Sequence, residues 1–189
     1  MIPQREDVRL VICNTMVRHA VAGGEYNRRR AECEAGVEYL SKHFQGVRAL
    51  RDATLEDLAA LNGELPDKIL RRCRHVISEN ARVLRAAAAL TRNDLGTFGG
   101  LMRESHRSLR DDYEVSCAEL DLMVQLGEQA KGVYGARMTG GGFGGCTINL
   151  VDAECVDAFQ ESVREGYERG TGRKPEIYIC SPADGVGLA

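Results

Sequence analysis

Val8 to Thr15 is rich in Val, Leu and Ile and predicts a strand buried on both faces. A loop containing Gly23 and Gly24 follows. From about Tyr26 to Phe44, the positions Cys33, Val37, Leu40 and Phe44 recur on one face, the period of an amphipathic helix. Thr54 is a suitable N-cap for a short helix through Leu61, with Asp57 at its third position. Pro66 suits the first turn of a longer helix. Ile69, Cys73, Val76, Ile77 and Leu84 form the apolar stripe of that helix, and the alanines at 86–89 favour close packing. Asn93-Asp94 breaks it and caps the next, in which Leu95, Phe98, Met102 and Leu109 face inward. Ser116 with Glu119 reads as a capping box opening a helix with Leu120, Met123 and Val124, which Gly132 ends.

The period then shifts from helical spacing to alternation. Tyr134 to Met138 and Cys146 to Val151 predict two strands joined by a glycine-dense link. Asp152 caps a helix with Val156, Phe159, Val163 and Tyr167 on one face, and Gly170 and Gly172 close it. Glu176 to Cys180 is the last strand, with Ile177 and Ile179 on one side. One strand, a run of helices, a hairpin, a helix and a strand predict an α+β fold. Its sheet is small and antiparallel, of about four strands, with helices packed on it. Residues 1–189 read as one domain. The first strand starts almost at residue 1 with nothing before it to pair with, which reads as the mark of a fragment.

Composition narrows the function. The 189 residues are 43% hydrophobic and 28% charged, enough to bury a core. A net charge of −3 gives no basic field for a nucleic-acid backbone. Arginines cluster at Arg28, Arg29, Arg30 and at Arg71, Arg72, Arg74, and both runs read as solvated helix faces. The seven Cys are scattered, without a C-x-x-C pair or a zinc spacing, which fits reduced thiols and a cytoplasmic protein. There is no apolar run long enough to span a membrane and no signal peptide.

The candidate chemistry lies at Arg137-Met138-Thr139-Gly140-Gly141-Gly142-Phe143-Gly144-Gly145-Cys146, where five of six consecutive residues, 140–145, are glycine. A hairpin turn needs one or two. Five imply positive φ angles or a close approach by something else, and consecutive free N–H groups can form an anion-binding concavity. A tight bulged hairpin remains equally open on the glycine count alone. No Lys-Ser or Lys-Thr follows, so this is not a Walker loop, and a strand rather than a helix follows, so it is not a dinucleotide fingerprint.

Read with two other segments, RMTGGGFGGC resembles the third signature of galactokinases, within the GHMP small-molecule kinase superfamily. Glu104 to Ser116, ESHRSLRDDYEVS, is similar to the segment preceding that loop in the family. Asn14 to His19, Glu25-Tyr26-Asn27, Arg29-Arg30 and Cys33-Glu34 resemble the opening of its carboxyl-terminal domain. The likeness runs from about Leu10 to Gly187 and implies the family's ferredoxin-like carboxyl-terminal domain. It implies that Tyr26 contacts the sugar, for which an aromatic plane with a polar tip is suited. It implies that Gly140, Gly141, Gly142, Gly144 and Gly145 lie beside the ATP phosphates, and that Arg18 stands near the transferred phosphoryl group, where a structural ion pair is an equal alternative. His106 carries no catalytic assignment.

The resemblance also implies what is missing. In the family the catalytic aspartate and the Gly-Ser-Ser loop that holds ATP and Mg²⁺ lie in the amino-terminal half, and neither has a counterpart here. Asp111 and Asp112 match no catalytic position. The expected whole protein is an ATP-dependent kinase of the anomeric hydroxyl of galactose, of which this chain alone is inactive. The alternatives are another GHMP sugar kinase, or a sugar- or ATP-binding regulator without turnover.

Overall fold

A computed structural model describes residues 7–17, 22–61 and 63–181. Its elements in chain order are β1 (Val8–Asn14), α1 (Ala22–His43), α2 (Leu55–Ala60), α3 (Asp67–Thr91), α4 (Leu95–Asp111) and α5 (Ala118–Gln129). Then follow β2 (Val133–Met138), β3 (Cys146–Asp152), α6 (Val156–Thr171) and β4 (Glu176–Cys180). The four strands form one antiparallel sheet in the order β2-β3-β1-β4. The α+β expectation is met.

Strand alternation divides the core between the two faces of the sheet. Val11, Cys13 and Val151 pack against Met123 of α5 and Phe159, Val163 and Tyr167 of α6. Val8 and Leu150 turn the other way, against Leu95 and Met102 of α4. Helix α4 approaches β2 so closely that a Cβ on Gly135 would stand 2.5 Å from the Cα of Gly99. Away from the sheet, α1, α2 and α3 enclose a separate cluster around Leu40, Leu50, Leu58, Cys73 and Ile77.

The local signals mostly acted as read. Thr54 accepts from the Asp57 amide at 3.1 Å while Asp57 accepts from the Thr54 amide at 2.9 Å. Asp94 accepts from Thr97 N at 2.9 Å to open α4, and Gly172 ends α6 at φ 70°.

Several readings need correction. Gly23 and Gly24 lie in the first turn of α1, not in a loop before it. Leu84 is 73% exposed, on the face of α3 turned away from α4, which flanks the same turn through Glu104 and its pairs with Arg82 and Arg85. Ser116 does not cap α5: its hydroxyl donates to Asp121 Oδ1 at 2.6 Å, and Cys117 holds the N-cap position with no side-chain bond. Asp152 caps a 3₁₀ turn at Ala153–Cys155 that leads into α6. Ile177 packs on the core, but Ile179 is 49% exposed on the edge strand β4. The largest correction concerns the arginine runs. Arg29 and Arg72 are buried, so neither run is a wholly solvated face.

Candidate functional site at the glycine turn

Strands β2 and β3 are joined by the glycine turn. Thr139 N donates to Cys146 O at 2.9 Å and closes its neck. Four of its glycines take positive φ: Gly140 (81°), Gly142 (86°), Gly144 (133°) and Gly145 (83°). Phe143 also sits at φ 59°, a conformation costly for a residue with a Cβ. Its side chain explains why it is held there. The ring packs against the cluster of Val115, Leu120 and Met138, which Leu109 and Tyr113 also join, anchoring the turn to the α4–α5 bend.

The backbone of the turn is fixed on two further sides. Phe143 N donates to Val115 O at 2.7 Å. At the end of β1, Thr15 donates to Gly145 O through its amide (2.9 Å) and its hydroxyl (2.7 Å), and Gly145 N donates to Val17 O at 3.2 Å. A Cβ on Gly142 would overlap Val115 O, and one on Gly144 would reach 2.5 Å from Val17 O. These glycines are explained by the fold.

Gly141 is not. It has no positive φ, and a Cβ there would meet none of the described residues within 4 Å. The turn with Val17 lines an open depression of about 420 Å³. Among the described residues, the N–H groups of Gly140, Gly141, Gly142 and Gly144 have no hydrogen-bond partner. A backbone tied down at Phe143 and Gly145, with N–H groups left over and no side chain at Gly141, is suited to an anion that must come close.

Tyr26 stands on α1 with 65% of its surface exposed. One turn on, Arg29 is buried, and its guanidinium lies 5.9 Å from the centroid of the Phe143 ring. Helix α1 and the glycine turn therefore meet through Arg29 and Phe143. Arg18 lies outside the described residues.

Beneath the site is an ion-pair network. Arg72, fully buried, donates to Glu32 Oε2 (2.8 Å), Glu114 Oε2 (2.6 Å) and Asp112 O (2.5 Å). Arg71 binds the other oxygen of Glu114, and Arg29 reaches Glu32 at 3.4 Å. The hydrogen bond from Arg72, opposed in part by burial and reinforced by Arg71, holds the Glu114 carboxyl at about 2. Burial pushes Glu32 upward, but the bond and charge of Arg72, with Arg29, leave it below the ordinary value. Glu114 itself is at φ 53°, so the network stabilises a strained bend.

The remaining polar groups have structural partners. His106 is buried, with Nε2 3.3 Å from Asp121 and Nδ1 3.4 Å from the Met138 amide. Asp111 pairs with Arg110, while Asp112 accepts from Ser108 and pairs with Arg74. Among the described residues, no group of three His, Cys, Asp or Glu could hold a metal ion. No helix among them is long and apolar enough to cross a membrane, and all seven cysteines are free.

Comparison with known proteins gives this fold and turn a class. Residues 86–169 match the family model for the carboxyl-terminal region of GHMP kinases. A solved mevalonate kinase from L. major shares the fold, with a TM-score of 0.56 at 21% identity over 95% of this chain and 43% of that one.

Within the family, the similarity is to galactokinases. That of Roseiflexus sp. is 46% identical over 98% of this chain and 48% of its own length, and that of Chloroflexus aggregans 50% identical over 98% and 47%. The structure of Lactococcus lactis galactokinase complexed with galactose superposes with a TM-score of 0.89 at 36% identity, over 95% of this chain and 46% of that one. The chain corresponds to the carboxyl-terminal half of these enzymes and spans about half the length of the curated relatives it matches.

Proposed function

We propose that this chain is the carboxyl-terminal half of a cytoplasmic galactokinase, which transfers the γ-phosphoryl group of ATP to the anomeric hydroxyl of galactose. The observation that carries the reading is Gly141: the fold does not require a glycine there, while a closely approaching phosphate does. Its neighbours Gly142, Gly144 and Gly145 hold the backbone in place, and the N–H groups of Gly140, Gly141, Gly142 and Gly144, without a partner among the described residues, are left for anionic charge. The free thiols fit a reducing compartment.

In this reading the chain's contribution is positioning. Tyr26 offers a ring and hydroxyl to the sugar. Arg18, if it reaches the transferred group, adds positive charge. ATP supplies the phosphoryl group, and Mg²⁺ enters bound to its phosphates and to the half of the protein that precedes this domain. The catalytic base belongs to that half.

The test is direct. The full-length protein, incubated with ATP, Mg²⁺ and galactose, yields galactose 1-phosphate by phosphorus NMR, whereas residues 1–189 alone yield none. Phosphorylation of a different sugar with galactose untouched would overturn the substrate assignment. Turnover by the isolated chain would overturn the division of labour.

A further inference from the structure

Arg29 is used by no step above, yet its surroundings are unusual for one residue of an arginine run. It lies one turn after Tyr26 on α1, and it is only 7% exposed. Its Nε donates to Tyr113 O at 2.7 Å and its Nη2 to Glu114 O at 2.7 Å. Its Nη1 faces Glu25 and Glu32, each at 3.4 Å. The next carbonyl along the chain, Val115 O, accepts from Phe143 N at 2.7 Å. Three consecutive carbonyls thus divide between two tasks. Those of Tyr113 and Glu114 grip α1 through Arg29, and that of Val115 grips the glycine turn. The Phe143 ring closes the same circuit from the other side, under the guanidinium.

We infer that Arg29 is a positioning residue, which fixes the sugar-facing turn of α1, with Tyr26, in register with the phosphate-facing glycine turn. The inference deepens the reading above and rests on it for its kinetic consequence, though not for the coupling itself. The side-chain chemistry is specific to arginine. Its planar fork binds two successive carbonyls while its remaining edge meets two carboxylates, and a lysine carries the charge but not the fork. Glu114 and Arg72 brace the same bend from below, so the bend is a rigid element and a displacement of its carbonyls is passed on to both partners. Misplacement of reacting groups by about 1 Å can cost about a hundredfold in rate.

The experiment uses the full-length protein, labelled with ¹⁵N-glycine, as wild type, Arg29→Lys and Phe143→Leu. Two readouts are taken: the amide resonances of the five glycines in the turn, and steady-state kinetics at a temperature where circular dichroism shows each variant folded. Arg29→Lys is expected to shift the amides of the turn. It is also expected to lower kcat at least about tenfold while KM for either substrate changes by less than about threefold. Phe143→Leu keeps both carbonyl bonds and removes the ring, and is expected to do the same more weakly. It also serves if Arg29→Lys fails to fold.

A purely structural role lowers the melting temperature and leaves kcat per folded molecule unchanged. That result, with the glycine resonances unmoved in either variant, overturns the inference. If wild type proves inactive on galactose, the functional reading falls, and the resonances alone then decide whether Arg29 couples α1 to the turn.

Discussion

Gly141→Ala and Gly142→Ala place one methyl group at neighbouring positions, and the structure assigns them opposite signs. At Gly142 the backbone is at φ 86° and the new Cβ overlaps Val115 O. The left-handed conformation costs about 1–2 kcal/mol for a residue with a Cβ. Displacing Val115 O loses the 2.7 Å bond to Phe143 N, worth about 1 kcal/mol. The sum is about 2–3 kcal/mol. With a urea m-value of about 2–3 kcal/mol/M, the midpoint falls by roughly 1 M. At Gly141 there is no such φ and no atom of the described residues within 4 Å, so alanine only narrows the unfolded ensemble and stabilises by about 0.4–1 kcal/mol. Function should invert the order of tolerance. In the full-length enzyme, the Gly141→Ala methyl projects where the nucleotide is proposed to approach, and KM for ATP should rise about tenfold, equivalent to ~1.4 kcal/mol. Urea unfolding followed by circular dichroism, and ATP-dependent initial rates, test the two halves. A destabilisation by Gly141→Ala as large as that by Gly142→Ala would show that the fold requires Gly141 after all. An unchanged KM for ATP would show that nothing close approaches it.

Replacing Arg72 by Met removes the cation shared by buried Glu32 and half-buried Glu114, which keep Arg29 and Arg71, and should cost about 1.5–3 kcal/mol, read as a urea midpoint; a loss under about 0.5 kcal/mol would mean the network contributes little. The folded-state values of Glu114 (about 2) and Glu32 lie below the ordinary 4.5, so their contribution is fully present above that value and fades as pH falls toward 2. The share of stability due to these two carboxylates should therefore be constant from pH 7 to 5 and drop below 4.5, on top of a decline that begins near 6.5 because burial holds His75 down to about 4; the drop below 4.5 should be shallower in Arg72→Met, and equal slopes would sink the assignment. Tyr26→Ala removes an exposed side chain and should change stability by no more than about 0.5 kcal/mol, while raising the full-length enzyme's KM for galactose about tenfold. An unchanged KM would remove Tyr26 from the sugar site.

The elements were legible where one local rule decided the outcome. Thr54, Asp94 and Gly172 each satisfy a helix end with their own atoms, and the alternation in β1 and β3 follows from a sheet covered on both faces. Ser116 had the spacing of a cap, but a stronger acceptor, Asp121, took its hydroxyl. Leu84 had the spacing of a core residue, but it lies on the exposed face of a turn whose other side meets α4. Spacing gives the face of an element, whereas burial depends on what another element brings to it.

The arginine runs make the same point for the site. In a sequence, Arg28-Arg29-Arg30 is a block of charge, and charge blocks are usually solvated. A helix, however, turns each residue about 100° from the last, so a run of three always presents different environments. Arg28 and Arg30 remain exposed with carboxylates one turn away, and the middle residue enters the core. What admits it is a set of acceptors more than eighty residues distant, the carbonyls of Tyr113 and Glu114, which become available because the chain bends there with Glu114 in the left-handed region. The signal for Arg29 was therefore present only in the combination of EYNRRR with DDYEVS. These two segments carry the family resemblance together because they form one bend-and-helix contact, and it is this contact that brings the glycine turn up against the helix bearing Tyr26.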